Sequence, residues 1–453
     1  MIDSAIVLVY LAVTLFIGLW SSRNLTTLSE FSVAGRSFTT WTVFATLSAS
    51  FIGGGFTMGN AEKVFLIGIV NIFALWGFSL KEVLVATVIA PRTTHFPEFI
   101  SVGDIMVRDY GKPGKIIAGV CAVLLCAGIV GAQVGAIGYV FDVFLGISPL
   151  VGIIVGCSVV IAYSALGGMR AIVWTDIIQF VILFIGIPLT LVAGVFYVGG
   201  WSAIKAAAPA EHFTLLGGKS PLWFASLFLT FLLGETLVPP YVQRLFIAKD
   251  AGHTARGTLL SGLFSIPFFM ITGGIGLVAY TINPGLNANM SLPFVIKTVL
   301  PVGITGIVIA GMLAVVMSSA DSFLNGGAVA FVNDIVTPLR KEALGKRQEL
   351  ILARVTTLFI GIGAVFFALT IKSILDILIY SYNFWSPIIL VPLVAAILRV
   401  GASQRAFLCG AAAGVVGVVV WNHGLHNPGT VDGLIIGVIC NLIVFYSVHK
   451  IEK

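Results

Sequence analysis

Charge is scarce in this sequence. Only 10% of its 453 residues are Asp, Glu, Lys or Arg, whereas 58% are hydrophobic. A soluble domain of this size needs far more charge to cover its surface. The apolar segments are also not separated by a long polar stretch, so we expect no separate soluble domain. We therefore interpret 1–453 as a single, all-α membrane domain.

Cysteine and histidine are also rare, and neither is spaced as a metal site. The 5 cysteines fall inside apolar runs, where cysteine usually packs as a small hydrophobe. His423 and His426 lie in a Gly/Asn/Pro-rich stretch with Asp432 nearby, which favours a loop. The 25 basic residues exceed the 19 acidic ones, and the positive-inside rule explains this excess without nucleic acid. We expect a lipid bilayer around the chain and no obligate protein partner.

Enzyme signatures are missing as well. The sequence contains neither HExxH nor a P-loop, and its few histidines lie outside the apolar core segments. We therefore expect a transporter that is driven by an ion gradient and not by ATP. One charge moved across 100 mV supplies about 2.3 kcal/mol, which is enough to concentrate a neutral solute.

Long apolar runs are what the sequence has in abundance. About thirteen are long enough to be membrane segments: 3–22, 41–59, 68–90, 115–145, 149–167, 171–199, 221–246, 254–282, 300–333, 350–371, 373–398, 405–421 and 430–448. With the N-terminus outside and the C-terminus cytoplasmic, most of the 25 Lys and Arg residues, Arg244 among them, fall in cytoplasmic loops. This predicts a multi-pass protein of the cell inner (plasma) membrane with an uncleaved first helix.

Two of these runs are interrupted in the middle. The second contains Ser-Ala-Ser-Phe-Ile-Gly-Gly-Gly at 48–55, and the seventh contains Gly-Glu-Thr-Leu-Val-Pro-Pro at 234–240. Consecutive glycines and prolines both break a helix, and a membrane tolerates freed backbone only beside protein or a cavity. The breaks are five helices apart, which is typical of a transporter with inverted repeats and a central binding site.

Ionisable residues inside the apolar runs are few, and such residues usually mark function. They are Lys81, Glu82, Asp142, Asp176, Glu235, Asp321 and Asp376. Lys81 and Glu82 are adjacent, so we expect them to face different sides of a helix and to have separate partners. The densest polar cluster is Ser318, Ser319, Asp321 and Ser322. Its oxygens suit a hard monovalent cation, although serines that pack against neighbouring helices would give the same pattern.

Four motifs in order resemble those of the sodium:solute symporter family. They are FSVAGRS at 31–37, YSALGGMR at 163–170 with WTDIIQ at 174–179, QRLFIAKD at 243–250, and MSSADS at 317–322. The resemblance implies a LeuT-like fold of two inverted five-helix repeats, at 41–199 and 221–398. One additional N-terminal helix, 3–22, and two C-terminal helices within 405–448 complete the expected fold.

The resemblance also implies a sodium ion as the coupling ion. Its expected ligands are the carbonyls of Ala49, Ile52 and Val315 and the hydroxyls of Ser318 and Ser319. The family usually has alanine where Val315 stands. A second sodium site is a candidate at Asp176, Asp321 and Ser322. The alternative is that Asp176 only pairs with a basic residue such as Arg170.

A small solute is expected between the two interruptions. The candidate residues are Gly53, Gly54, Gly55, Phe56, Thr57, Gln133, Phe231, Gly234, Glu235, Tyr382, Asn383, Phe384 and Trp385. An ionised Glu235 that faces the cavity would favour a cationic or polyhydroxyl solute. Each aromatic residue has core or lipid packing as its alternative.

The leading interpretation is a sodium-coupled symporter that imports a small organic solute by alternating access. A proton-coupled symporter, with Asp321 as a titrating carboxylate, is one alternative. A second is a solute-sensing membrane module, although no attached signalling domain is expected before Lys453. A channel is disfavoured because the polar residues cluster at mid-membrane. The sequence does not identify the solute.

Overall fold

A computed structural model describes residues 2–21, 27–33, 36–96, 98–370 and 373–453. Ala34 and Gly35 of the first motif lie outside these ranges, and the side chains of Tyr163 and Arg170 are also outside the description. In the described part the secondary structure is helical, and a single parallel bridge joins Phe38 to Ala248.

The helices of the first half carry the first interruption. Their bounds are α1 Ile2–Ser21, α2 Leu28–Val33, α3 Thr40–Phe51, α4 Gly54–Ile67, α5 Val70–Leu84, α6 Val102–Leu145, α7 Pro149–Tyr197 and α8 Trp201–Ala207. A π-helical turn, Val85–Ile89, and a 3-10 turn, Ala90–His95, extend α5. The segments predicted at 149–167 and 171–199 lie on either side of a kink within α7, where Gly168 has a φ of 63° and interrupts the helical geometry.

The helices of the second half carry the second interruption. Their bounds are α9 Pro221–Leu233, α10 Pro239–Leu245, α11 Ala251–Ile282, α12 Ser291–Val299, α13 Ile304–Ala330, α14 Thr337–Leu339, α15 Lys346–Thr370, α16 Ile374–Tyr382, α17 Val391–Ile397, α18 Gln404–Val419 and α19 Gly433–Ile451. Three π-helical turns adjoin these helices. One follows α13 at Phe331–Val336, one precedes α17 at Ser386–Leu390, and one follows α18 at Val420–Gly424.

Nine helical stretches in the described residues are long and apolar enough to cross a membrane. Three shorter apolar helices, Ile2–Thr14, Leu150–Ala162 and Pro221–Leu233, accompany them. Several stretches are longer than the sequence predicted. The helix expected at 115–145 is preceded by a shorter helix, which begins at Val102 with a capping box formed by Ser101 and Asp104. Gly111, with a φ of 63°, separates the two.

Helix α13 lies at the centre of the molecule. All of its residues from Val308 to Ala330 are buried, and it packs against α1, α3, α6, α7, α10 and α15. Asp3 at the start of α1 accepts hydrogen bonds from the backbone amides of Gly303 and Gly306, at 2.7 and 2.9 Å. The helix with the densest polar cluster is therefore enclosed by protein and shielded from lipid.

Candidate functional site

The first interruption lies where the glycines predicted it. Helix α3 ends at Phe51 and α4 begins at Gly54, with Ile52 and Gly53 outside regular helix. A Cβ atom on Gly53 would lie 2.0 Å from Ser319 Oγ, which real contacts do not allow. Glycine is therefore required at this position because the backbone of the break touches α13.

Side chains from other helices satisfy the backbone freed by this break. Ser319 Oγ donates to the carbonyl of Ser50 at 2.5 Å. The backbone amide of Gly54 donates to Gln133 Oε1 at 2.8 Å, and Thr57 Oγ1 donates to the carbonyl of Gly53 at 2.9 Å. The break is thus held open by specific hydrogen bonds, as burial of polar backbone requires.

Arg244 lies beside the same break. The sequence analysis counted it with the cytoplasmic loop residues, but its side chain is fully buried in α10. Arg244 Nη2 lies 3.2 Å from Asp176 Oδ2, 2.5 Å from Ser50 Oγ and 2.6 Å from Ser322 Oγ. Its Nε donates to Thr46 Oγ1 at 3.0 Å. The short helix after the second interruption therefore brings a cation to the first one.

Asp176 accepts hydrogen bonds from three hydroxyl groups on two helices, α3 and α13, in addition to this ion pair. The hydroxyls of Thr46 and Ser318 donate to its carboxylate, and Ser50 Oγ donates at 3.1 Å. Among the described side chains, the ion-pair partner of Asp176 is Arg244. The side chain of Arg170, the alternative partner expected from the sequence, is not one that the structure describes. We call Arg244, Asp176, Thr46, Ser50, Ser318 and Ser322 the arginine network.

Two of the candidate sodium residues, Ser318 and Ser319, contact the end of α3. Ala49, Ile52 and Val315 are buried in the facing stretches of α3, the break and α13. Ser318 Oγ lies 3.3 Å from Ser50 Oγ, and Ser319 contacts the Ser50 carbonyl. Hydroxyl and carbonyl oxygens from two helices therefore converge at the break, which is the donor type that a hard cation prefers.

The candidate residues for a second sodium belong largely to the arginine network. Ser322 Oγ donates to the carbonyl of Ser318 at 2.7 Å and lies 3.2 Å from Asp321 Oδ1. Arg244 donates to Ser322 and to Asp176. The guanidinium group of Arg244 thus already provides positive charge at Asp176 and Ser322, two of the three candidate residues.

The second interruption separates α9 from α10, as the prolines predicted. Leu237 has a φ of 55°, and α10 starts on Pro239 and Pro240, which is a position that tolerates proline. Gly234 lies against Tyr382, because a Cβ atom there would be 2.2 Å from the ring carbon Cδ2.

A third interruption, which the sequence analysis missed, lies opposite the second. Helix α16 ends at Tyr382, and a turn with Trp385 outside helical geometry leads into the π-helical turn. Ser386 Oγ donates to the carbonyls of Leu233 and Gly234 at 2.7 and 2.9 Å, and Trp385 Nε1 donates to the Thr236 carbonyl at 3.1 Å. Pro387 was the available signal, because proline disfavours helix in the residue before it.

The expectation that Lys81 and Glu82 have separate partners was wrong. Lys81 Nζ lies 2.7 Å from Glu82 Oε1, and both side chains are buried. Tyr241 donates to Glu82 Oε2 at 2.8 Å. The Lys81 ammonium also lies 3.8 and 4.4 Å from the ring centres of Phe78 and Tyr241. The two side chains meet because buried charges need a partner of opposite sign, and the ring faces attract the ammonium as well.

Several other candidate solute residues pack around these interruptions. Phe56 lies 6.0 Å from Phe231 and 4.9 Å from Phe78, measured between ring centres. Gly55 faces Leu378 on α16. Trp385 is buried in the third interruption. Asn383 and Phe384 are half-buried there, and the Phe384 ring lies 5.8 Å from Tyr380.

Comparison with known proteins gives one consistent family. The sequence profile of the Sodium:solute symporter family matches residues 31–414. Solute carrier family 5 member 4 of Rattus norvegicus is 24% identical over 97% of this chain and 70% of its own length. The Sodium/glucose cotransporter of Vibrio parahaemolyticus is 26% identical over 74% of this chain and 68% of its own length.

A solved structure shares the fold. The substrate-bound, outward-open state of a Na+-coupled sialic acid symporter matches with a TM-score of 0.84, covering 100% of this chain and 98% of the other, at 23% identity. Together, the profile match over most of the chain and the apolar helices identify the protein class. This chain belongs to the sodium:solute symporter family and is a multi-pass plasma-membrane symporter, not an enzyme, with sodium as its coupling ion.

Proposed function

We propose that this protein imports a small organic solute with sodium by alternating access, and that the sodium ion binds where the α3 break meets α13. The supporting observation is the contact of Ser318 and Ser319 with Ser50. The proposed ligands are the carbonyls of Ala49, Ile52 and Val315 and the hydroxyls of Ser318 and Ser319. These are neutral oxygens, which suit a monovalent ion.

The fold expected for this mechanism has thirteen spans and two inverted five-helix repeats, at 41–199 and 221–398, within one domain. One helix precedes and two helices follow these repeats. The orientation we propose has the N-terminus outside and the C-terminus in the cytoplasm. Removing the buried Arg244 from the loop count leaves the asymmetry of basic residues in place.

The solute site is proposed between the first and second interruptions. Gly53, Gly54, Gly55, Phe56 and Thr57 form one side, with Gln133 hydrogen-bonded to the backbone of Gly54. The other side is formed by Phe231, Gly234, Glu235, Tyr382, Asn383, Phe384 and Trp385. The contact of Gly234 with Tyr382 supports this grouping.

A second sodium at Asp176, Asp321 and Ser322 would compete with Arg244 for oxygens. A stoichiometry of one sodium per solute, unchanged by Asp176→Asn, would contradict the second site. Two sodium ions per solute, reduced to one in this variant, would support it.

Uptake into proteoliposomes tests the coupling. We expect solute accumulation to follow an imposed sodium gradient, and Ser318→Ala and Ser319→Ala to weaken the apparent sodium affinity. Ser158→Ala is the matched control, because Ser158 is exposed and donates only to its own helix at Ile154. Accumulation driven by a proton gradient without sodium would contradict the proposal. A screen of thermal stability against solute libraries, with and without sodium, would identify the solute.

A further inference from the structure

We propose that the solute carries a positive charge and that Glu235 binds it. This inference rests on the proposed function, since it assigns a substrate class to the same solute site. It depends on the charges and contacts around the second interruption, which are independent of the candidate sodium ligands on α3 and α13.

Glu235 is a buried carboxyl group placed in the break itself. It follows Gly234 directly, and its side chain is 2% exposed. Its Oε2 atom is buried and accepts no hydrogen bond from the described part of the chain. The hydroxyl of Tyr382 lies beside the same carboxyl group. A ligand between α9, α10 and α16 would bind this oxygen.

The nearest cation is already bound to another carboxylate. Lys81 and Glu82 both act electrostatically on Glu235. The ammonium of Lys81, however, is 2.7 Å from Glu82 and is enclosed by the rings of Phe78 and Tyr241. Tyr241 fixes the second oxygen of Glu82 from the opposite side. The group therefore contains one ammonium and two carboxylates, and Glu235 is the one of the two that forms no ion pair with the described residues.

The surroundings of Glu235 also suit an organic cation. Phe231 lies one helical turn before it on α9 and faces Phe56 of α4. The ring of Tyr382 covers Gly234. Aromatic faces attract ammonium groups, and a carboxylate provides the matching charge. The Lys81 ammonium shows the same arrangement within this protein, with the three components of carboxylate, phenylalanine and tyrosine.

An isolated carboxylate inside a membrane protein is costly, so it binds either a cation or a proton. A solute ammonium satisfies the charge and places the remaining part of the solute among the aromatic rings. A proton satisfies the charge but leaves the aromatic lining without a role. The two possibilities differ in the charge that the solute must carry, and this difference can be measured.

The experiment compares solutes that differ only in charge. Pairs of small molecules, trimethylammonium against tert-butyl and primary ammonium against hydroxymethyl, are tested with a small carboxylate by thermal shift and by uptake, with and without sodium. We expect a sodium-dependent response to the ammonium member of a pair. We expect Glu235→Gln to weaken its apparent affinity by at least about tenfold, the loss of one charge-assisted hydrogen bond. Glu62→Gln removes another buried carboxyl group, on α4, and is expected to leave the affinity unchanged.

The outcomes separate this inference from the proposed function. Sodium-dependent responses to neutral or anionic solutes that Glu235→Gln leaves unchanged would overturn the inference alone. Uptake of a neutral solute with proton entry, lost in Glu235→Gln, would also overturn it by assigning Glu235 a proton. Responses that ignore sodium for every solute would contradict the proposed function. The charge preference of the wild-type protein decides the question even if Glu235→Gln does not fold.

Discussion

The first two interruptions are breaks of the same kind, in α3–α4 and α9–α10, but their polar groups are satisfied differently. Around the first, the arginine network joins α3, α7, α10 and α13 through one guanidinium and five hydroxyl or carboxylate side chains. Around the second, the backbone is held by Ser386 and Trp385, while Glu235 keeps an oxygen without a hydrogen bond from the described residues.

This difference matches the ligands that we propose for the two breaks. A sodium ion needs a few oxygens at fixed positions, and a network that orients each hydroxyl prepares them in advance. An organic solute varies in shape, so its site benefits from a charged group and aromatic faces that the protein does not already use. We infer that the first break is rigid for the ion and the second is left open for the solute. The variants below test this contrast.

The largest effect is expected from Arg244→Ala, which removes the cation of the arginine network. It leaves Asp176 buried without its ion pair, which costs about 3–5 kcal/mol in the free energy of unfolding. Thermal unfolding of the purified protein measures the loss. Glu235→Gln removes the corresponding charge at the second break and is expected to cost much less, because Glu235 forms no ion pair within the described part of the chain. Equal destabilisation by Arg244→Ala and Glu235→Gln would contradict the proposed difference between the first and the second break.

Gly53→Ala is expected to have the next largest effect. The added methyl group overlaps the hydroxyl of Ser319, and relieving such an overlap costs about 1–3 kcal/mol. The apparent affinity for sodium should therefore fall between about fivefold and a hundredfold, measured by sodium titration of uptake. Gly363→Ala is the control, since its nearest atom would be Ala127 Cβ at 3.9 Å. An unchanged sodium affinity in Gly53→Ala would show that the break does not position Ser319 for the ion.

Gln133→Leu tests the backbone of the first break. It removes the acceptor of the Gly54 amide, and an unsatisfied buried amide costs about 1–3 kcal/mol. Gln133→Glu keeps an acceptor oxygen at the same place, so it should retain more thermal stability than Gln133→Leu. If both variants are equally stable, the amide of Gly54 does not depend on this side chain.

The first two interruptions were readable from the sequence, because consecutive glycines and prolines act locally on the backbone. The hydrogen-bond and ion-pair partners of the buried polar side chains were not readable from it. Arg244 is 194 residues from Ser50 and 68 residues from Asp176, so spacing carries no information about their contact.

The prediction that Lys81 and Glu82 have separate partners failed although the two residues are adjacent in sequence. Neighbouring helical residues point in different directions, but these two side chains meet because they are buried charges of opposite sign, beside the rings of Phe78 and Tyr241. The third interruption was missed because Pro387 lies inside an otherwise apolar run. Tertiary packing thus decides which polar groups pair, whereas local sequence decides where the helices break.

The smallest effect is expected from Ser386→Ala. This variant tests how strongly the Ser386 hydroxyl stabilises the second break. This hydroxyl donates to the carbonyls of Leu233 and Gly234, but a hydroxyl can donate only one proton at a time. We expect a loss of about 1 kcal/mol in thermal unfolding, well below the loss in Arg244→Ala. Ser158→Ala, on the exposed face of α7, should change stability by less than about 0.5 kcal/mol. A loss in Ser386→Ala as large as that in Arg244→Ala would mean that the second break is as tightly held as the first. The proposed division between a rigid ion site and an open solute site would then be wrong.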